Sequence, residues 1–348
     1  MLTPDEQAAY QALRQAVAVV DAPVHWSQAT GPQVFAALNG LVTNDVVSLT
    51  DGQGVYAAAL SAKGKLLCDL AILREDATTA RLLMAPACAE PWFAMTRKFV
   101  NPRLARLADN HAEWQAIVLA GPSVPSAVAQ VTGGAVSAEA VAGWKPWQHA
   151  AASLDGVSVR MVRTAWLGAC PTVILFAPRE GAVALSARVS ALGLPVASAA
   201  VWEVARVEAG RPAFGIDMTD ETLAQEAILD TLDAISFTKG CYTGQETVAR
   251  VHFRGHVNRL LRGVRLAVPM PHGAVLQDGT GKLVGDVRSS VVSPTFGPIA
   301  LAMVRREVEA GQPLTAHGAP VGTAAGADAP PADDAGVMAE LLTLPFAR

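Results

Sequence analysis

Three observations predict an α+β protein with a β-rich C-terminal domain. The 348 residues exceed one ordinary compact domain, so two or three are expected. Helix and strand patterns are mixed through the first two-thirds, with a hairpin turn at Ala62-Lys63-Gly64-Lys65. Beyond Leu261 short strands alternate with turns at the spacing of a small barrel or sandwich. With 51% of residues hydrophobic and 17% charged, a sizeable core is available. Aromatic residues are only 5%, so small aliphatic side chains must fill most of it.

Along the chain, Pro4 to Val20 carries Ala9, Leu13, Val17 and Val20 on or near one face, the pattern of a helix. A strand-rich block follows: Val42 to Val46 and Gly54 to Leu60 read as strand ends, and Leu66 to Leu73 as the strand returning from the hairpin. Glu90 to Val100 reads as a helix ended by Asn101-Pro102. Gly121 to Gly143, rich in Ala, Ser, Gly and Pro, is a loosely packed helical piece or a surface connection. Val157 to Ala165 and Pro171 to Ala177 read as strands, and Gly181 to Leu192 as a helix closed by Gly193. This alternation also suits a doubly wound parallel sheet; the hairpin and the β-rich end favour α+β. Val201 to Ala209 reads as a helix stopped by Gly210 and Pro212. Strands are then expected at Gly263–Val268, Ala274–Gln277, Lys282–Ser290, Ile299–Val304 and Pro313–Ala316. A low-complexity, mobile loop is expected at 324–335, and a last strand at Val337–Leu344.

Composition excludes several classes of function. No apolar run reaches the roughly 18–20 residues that span a bilayer; the nearest, Trp166 to Pro178, is broken by Gly168 and Pro171. Asp5 and Glu6 precede any basic residue, unlike a signal peptide, so a cytoplasmic protein with no membrane partner is expected. A net charge of −4 gives no general reason to expect nucleic acid. The cysteines, Cys68, Cys88, Cys170 and Cys241, form no C-x-x-C pair and have no histidine at zinc spacing. No metal or iron–sulfur cluster of the protein's own is expected.

The most informative segment is Lys239-Gly240-Cys241-Tyr242-Thr243-Gly244-Gln245-Glu246. Two glycines permit positive φ, so the segment reads as a tight turn that presents Cys241. Lys239, Arg250 and a helix N-terminus near Thr243 would each favour its thiolate; a buried cysteine in a turn is the plainer alternative. Followed by Val248-Ala249-Arg250 and Phe253-Arg254-Gly255, the octapeptide resembles the signature of the YgfZ family. Those are folate-binding proteins that assist iron–sulfur cluster assembly or repair, are associated with tRNA modification, and are built like the aminomethyltransferase (T-protein) of glycine cleavage.

Two further segments carry the resemblance. Arg206-Val207-Glu208-Ala209-Gly210 is similar to the Arg-x-Glu-Ala-Gly segment that T-protein relatives use near their folate. Val284 to Ser290, continuing through Ser293-Pro294-Thr295-Phe296-Gly297 to Ala302, resembles their C-terminal barrel. The implied fold is α+β and T-protein-like: a three-part ring around a central folate cavity. Residues 1–260 would be the folate-binding region, two interleaved α+β subdomains, and residues 261–348 the C-terminal β-barrel.

The resemblance implies tetrahydrofolate as cofactor, and its chemistry selects residues. The pterin edge of N–H donors calls for a carboxylate, and Glu208 is the candidate; the alternative is an ion pair with Arg211 or Arg206. The anionic tail calls for cations, which Arg250, Arg254, Arg259, Arg262 and Arg265, with His252 and His256, supply without an acid between them. That stretch reads equally as a surface for RNA or a partner protein, or as a solvated face. T-protein relatives carry two adjacent aspartates where this chain has Cys68-Asp69. Asp69 is expected to touch the folate ring, or else to be a strand-end aspartate satisfied by backbone, and the missing carboxylate argues against aminomethyl transfer. Tyr242, Gln245 and Glu246 are motif residues expected to orient Cys241 or the folate. The expected function is a folate-binding accessory protein for iron–sulfur clients or assembly proteins, with Cys241 acting at the cavity rim, assisted by Lys239 and Asp69. A folate-dependent aminomethyltransferase or demethylase, and a non-catalytic RNA- or protein-binding module, are the alternatives.

Overall fold

The computed structural model describes residues 2–318 and 336–346; the loop expected at 324–335 lies outside them. In chain order the elements begin with α1 (Pro4–Gln15), β1 (Ala18–Val20), β2 (His25–Thr30), α2 (Val34–Asn39), β3 (Gly54–Leu60), β4 (Leu66–Asp76) and β5 (Thr79–Met84). The middle of the chain forms α3 (Pro86–Phe99), β6 (Arg106–Ala108), β7 (Trp114–Ala120), α4 (Val124–Val131), α5 (Ala138–Ala142), β8 (His149–Leu154), β9 (Val157–Thr164), β10 (Thr172–Pro178), α6 (Arg179–Ser190), β11 (Val196–Ala197) and α7 (Ala199–Glu208). The last part is α8 (Gln245–Arg254), β12 (Arg259–Leu266), β13 (Val275–Asp278), β14 (Leu283–Ser293), β15 (Gly297–Arg305), β16 (Pro313–His317) and β17 (Val337–Leu342).

The strands form a six-stranded sheet ordered β11-β1-β7-β10-β9-β8, a five-stranded sheet ordered β3-β4-β5-β2-β6, and a closed six-stranded barrel. Among the described strands only β1 and β11 pair in parallel, so the sheets are not those of the doubly wound alternative. The two sheets share one core cluster, which includes Tyr10, Trp26, Tyr56, Leu73, Ile174 and Phe176. On its far side the five-stranded sheet packs on α2 and α3 through Leu38, Ile72, Leu82 and Trp92. The six-stranded sheet packs on α4, α5 and α6 through Val128, Leu175 and Leu185.

Strand alternation sorts the barrel residues. Val264, Leu276, Val287, Ala300, Ala302 and Leu341 fill its interior. Leu261, Ile299, Leu301 and Met303 face outward onto Val207 of α7 and Phe346. Helix α7 therefore touches both the sheets and the barrel, and closure leaves the barrel without free edges.

Several expectations are corrected. The first helix ends at Gln15, because Ala18–Val20 is drawn into the six-stranded sheet between β7 and β11. Val42–Val46 is not a strand; only Val42 bridges, to Ala59. Helix α3 begins at Pro86, four residues early, with proline at its permissive first position. The expected hairpin is present, with Gly64 at φ +77°.

Candidate functional site

A cavity of about 480 Å³ lies between the two sheets and α7, within the size range of small-molecule sites. Its floor includes Tyr56 of β3 and Asp69 of β4; α7 contributes Trp202, Glu203 and Arg206; the turn after it contributes Arg211, Pro212, Phe214 and Ile216. No described barrel residue lines it. The barrel supports it from behind α7, where Ser289 accepts from the Arg206 guanidinium at 2.7 Å.

Asp69 is held by two side chains. The Tyr56 hydroxyl donates to Oδ2 at 2.7 Å and the Cys88 thiol to Oδ1 at 3.3 Å. Burial pushes its pKa up, while those two hydrogen bonds pull the other way. Burial and the neighbouring carboxylate also push the Tyr56 hydroxyl well above its usual range, so it acts as a donor. The side chain lines the cavity, and its side-chain hydrogen bonds come from Tyr56 and Cys88.

Cys68 faces the opposite way. Odd-numbered Ala71 and Leu73 belong to the core between the sheets, whereas even-numbered Cys68, Leu70 and Ile72 belong to the core beneath α2 and α3. A carboxylate at position 68 would enter that apolar core and not the cavity. The carboxylate missing at position 68 thus belongs to the face of β4 opposite the cavity.

Glu208 is also displaced from expectation. Glu203 and Arg206 share a face of α7, while Glu208, five residues past Glu203, is rotated from it by about 140°. It accepts from Tyr10 at 2.7 Å and from Ser293, and meets Arg14 at 3.6 Å, away from Arg206 and Arg211. The carboxylate that α7 presents to the cavity is Glu203, bound by the Arg206 Nε at 2.9 Å. Arg206 also reaches the wholly buried Asp217 at 2.6 Å. Arg211, half-buried in the cavity wall, has no ion pair among the described residues, and burial depresses its pKa. The 3.6-residue spacing of Trp202, Glu203 and Arg206 was a readable signal for this face; Arg211 gave none. Aromatic rings continue along the wall: Tyr56 stacks on Trp147 at 5.6 Å, and Trp166 meets Trp147 at 6.0 Å and Trp202 at 6.2 Å.

The octapeptide is a second place, against the β3–β4 hairpin. Gly244 has φ +84°, and a Cβ there would come within 2.6 Å of the Ser61 carbonyl oxygen. Thr243 N–H donates to Gly40 O at 3.0 Å and Thr247 Oγ1 to Lys63 O at 3.1 Å. The Lys239 ammonium is enclosed by the carbonyls of Asn39, Val42 and Asn44 at 2.6, 2.7 and 2.9 Å. Desolvation pulls its pKa down to about 8. It lies 5.0 Å over the ring of the buried Tyr242. Lys239 thus ties the loop after α2 to the motif. Cys241 is exposed just before α8, whose first residues are Gln245 and Glu246. None of Lys239, Cys241, Tyr242, Gln245, Glu246, Arg250 and Arg254 lines the cavity, so the motif and Asp69 are not brought together there.

The arginine stretch finds acids from elsewhere in the chain. Arg259 pairs with Glu226 at 2.9 Å and Arg265 with Glu340 at 3.0 Å. Arg250, Arg254 and Arg262 have no ion pair among the described residues. His252 stacks on Phe237 at 3.6 Å, and Phe253 beside it is exposed. No described helix is long and apolar enough to cross a membrane.

Two sheets sharing a core, with a closed barrel behind α7, define the class of domain, and comparison with known proteins agrees on this architecture. Residues 3–238 match the GCVT N-terminal domain and residues 259–330 the CAF17 C-terminal beta-barrel domain. The chain belongs to the GCVT family, in its YgfZ-type form with a CAF17 barrel. It is 30% identical to the tRNA-modifying protein YgfZ of Edwardsiella ictaluri over 70% of each chain. It is 28% identical to the aminomethyltransferase of Thermosynechococcus vestitus over 85% of this chain and 78% of that one. The structure of glycine cleavage system aminomethyltransferase T from Bartonella henselae has the same fold, with TM-score 0.83 at 20% identity, covering 98% of this chain and 89% of that one.

Proposed function

We propose that the protein is a tetrahydrofolate-binding accessory protein, associated with tRNA modification, that supports iron–sulfur cluster assembly or repair. The observation that carries the folate reading is the cavity's set of polar groups. Three carboxylates, Asp21, Asp69 and Glu203, the Glu203-paired Arg206 and Arg211, which has no ion pair among the described residues, stand in a wall that also carries Tyr56, Trp166, Trp202, Phe214 and aliphatic side chains. Carboxylates suit the N–H edge of a pterin, flat apolar walls suit its ring and the aryl group, and Arg211 suits the glutamate carboxylates. The residues present fit the group. Tetrahydrofolate, when bound, supplies a reduced pterin and a one-carbon carrier.

The chain's own groups do the rest. Tyr56 and Cys88 fix the Asp69 carboxyl, and Arg206 fixes Glu203. In this reading the exposed Cys241 works outside the cavity, on sulfur, iron or a one-carbon adduct carried by a partner protein, and Lys239 keeps its loop in shape. The iron–sulfur part rests on the resemblance of the Lys239–Glu246 signature to the YgfZ family, and the tRNA-modification part on the relatives of that name.

A second reading, folate-dependent aminomethyl transfer, is favoured by one observation: Asp69 keeps its cavity position while Cys68 points away. Deletion of the gene in its host, with complementation by wild type or Cys241→Ser, separates the two. The first reading expects an iron–sulfur enzyme to lose activity on deletion and regain it only with wild type. Cys241→Ser should leave Tm unchanged, since the side chain is exposed. Loss of lipoyl-dependent glycine turnover with iron–sulfur enzymes intact would establish the second.

A further inference from the structure

A separate pocket of about 190 Å³ lies where α1, α7 and the barrel meet, lined by Leu13, Arg14, Cys170, Glu208, Phe296 and Phe346 among others. A wider hollow of about 470 Å³ shares Arg14, Phe296 and Phe346 with it and continues past Gln11, Gln15 and Thr295. The pocket holds a carboxylate that is incompletely used. The Glu208 side chain is 2% exposed. Its Oε1 accepts from both Tyr10 and Ser293. Burial holds the Tyr10 hydroxyl protonated, its pKa pushed up to about 12, so that donor is permanent across the physiological range. Oε2 is buried with no hydrogen-bond partner. Its nearest cation, the Arg14 guanidinium, stands 3.6 Å away, too far for a hydrogen bond.

A buried carboxylate oxygen without a donor is costly, and this one has an enclosed space in front of it. Arg14, 42% exposed, stands where the small pocket joins the wider hollow. The site therefore offers an acceptor inside, a cation at the opening, and Leu13, Phe296 and Phe346 as apolar walls. The volume is below that of drug-sized sites and suits a ligand of amino-acid size.

We propose that this pocket binds a small zwitterion of the α-amino acid class, with its ammonium donating to Glu208 Oε2 and its carboxylate held by Arg14. The two charges of such a ligand match the two protein groups, and neither half alone satisfies both. The site is distinct from the Asp69 cavity, whose lining shares no residue with it.

Isothermal titration of the full chain with glycine, alanine and serine tests this, with acetate and methylammonium as half-ligand controls. Saturable binding of at least one amino acid is expected, with both controls at least tenfold weaker. Arg14→Gln, at a half-exposed position, should weaken binding at least tenfold without changing Tm; Glu208→Gln should do the same if it folds. Asp69→Asn should leave it unchanged, separating this site from the folate cavity. Absence of saturable binding, equal affinity for a control, or an affinity indifferent to Arg14→Gln would overturn the proposal.

Discussion

Asp69 combines burial, a tyrosine donor and a thiol donor, and each affects a measurable property. Because its folded pKa is raised by burial, the folded chain holds its proton more tightly than the unfolded chain, where a carboxyl titrates at about 3.9. The stabilising protonation is complete below that value and is lost as pH rises through the folded pKa. Asp69→Asn has no such loss. The stability of the Asn variant relative to wild type should rise as pH increases from about 4 and then level off; thermal melts at stepped pH check this, and parallel curves would refute it. The same substitution removes a charged acceptor worth about 1.5–3 kcal/mol, so affinity for 5-formyltetrahydrofolate should fall by roughly 10- to 150-fold in titration calorimetry. Asp69 was legible because the flanking strand matched a known pattern. Its partner Cys88, 19 residues on in another element, had no local signal.

Among the elements, the motif turn and α7 contrast in how much their local sequence disclosed. Glycines at positions 240 and 244 marked the turn, and Gly244 does take φ +84°. The neighbouring lysine was read as an electrostatic aid to Cys241, but its ammonium is committed to three backbone carbonyls some 200 residues earlier in the chain. Lys239→Met would leave those carbonyls without their donor and should lower stability by about 3 kcal/mol, given the strength of charge-assisted hydrogen bonds. A shift in urea midpoint with an unchanged m-value is the expected result. Unchanged stability with failed complementation would instead make Lys239 a chemical group. In α7 the periodicity showed a helix and its glycine stop. Which of its carboxylates met a ligand depended on rotation about the axis: Trp202, Glu203 and Arg206 face the cavity, and Val207 and Glu208 face the barrel.

Across the whole molecule, Arg206 joins the parts. Its guanidinium binds Glu203 in the cavity wall, Asp217 in the turn beyond α7 and Ser289 in the barrel. Removing one partner from such a buried network costs about 3–5 kcal/mol, because the remaining charge is left uncompensated. Arg206→Met should therefore lower the unfolding free energy by that amount, read from urea denaturation, and also weaken folate binding, since Glu203 loses its tether. Loss of stability with folate affinity intact would show that Glu203 does not depend on Arg206 for its orientation.

The sequence by itself determined the α+β class, the separate barrel, the hairpin and the family. Each is encoded by short-range information: side-chain period, glycines at turns, or a contiguous signature. The tertiary structure alone decided that Ala18–Val20 is a strand, because its hydrogen-bond partners come from β7 and β11, about a hundred or more residues away. It also decided that Glu203 and Arg211, not Glu208, face the cavity with Asp69, and that Cys241 stands outside it. Those outcomes depend on which faces of separate elements meet when the two sheets pack, and spacing along one segment carries no record of that.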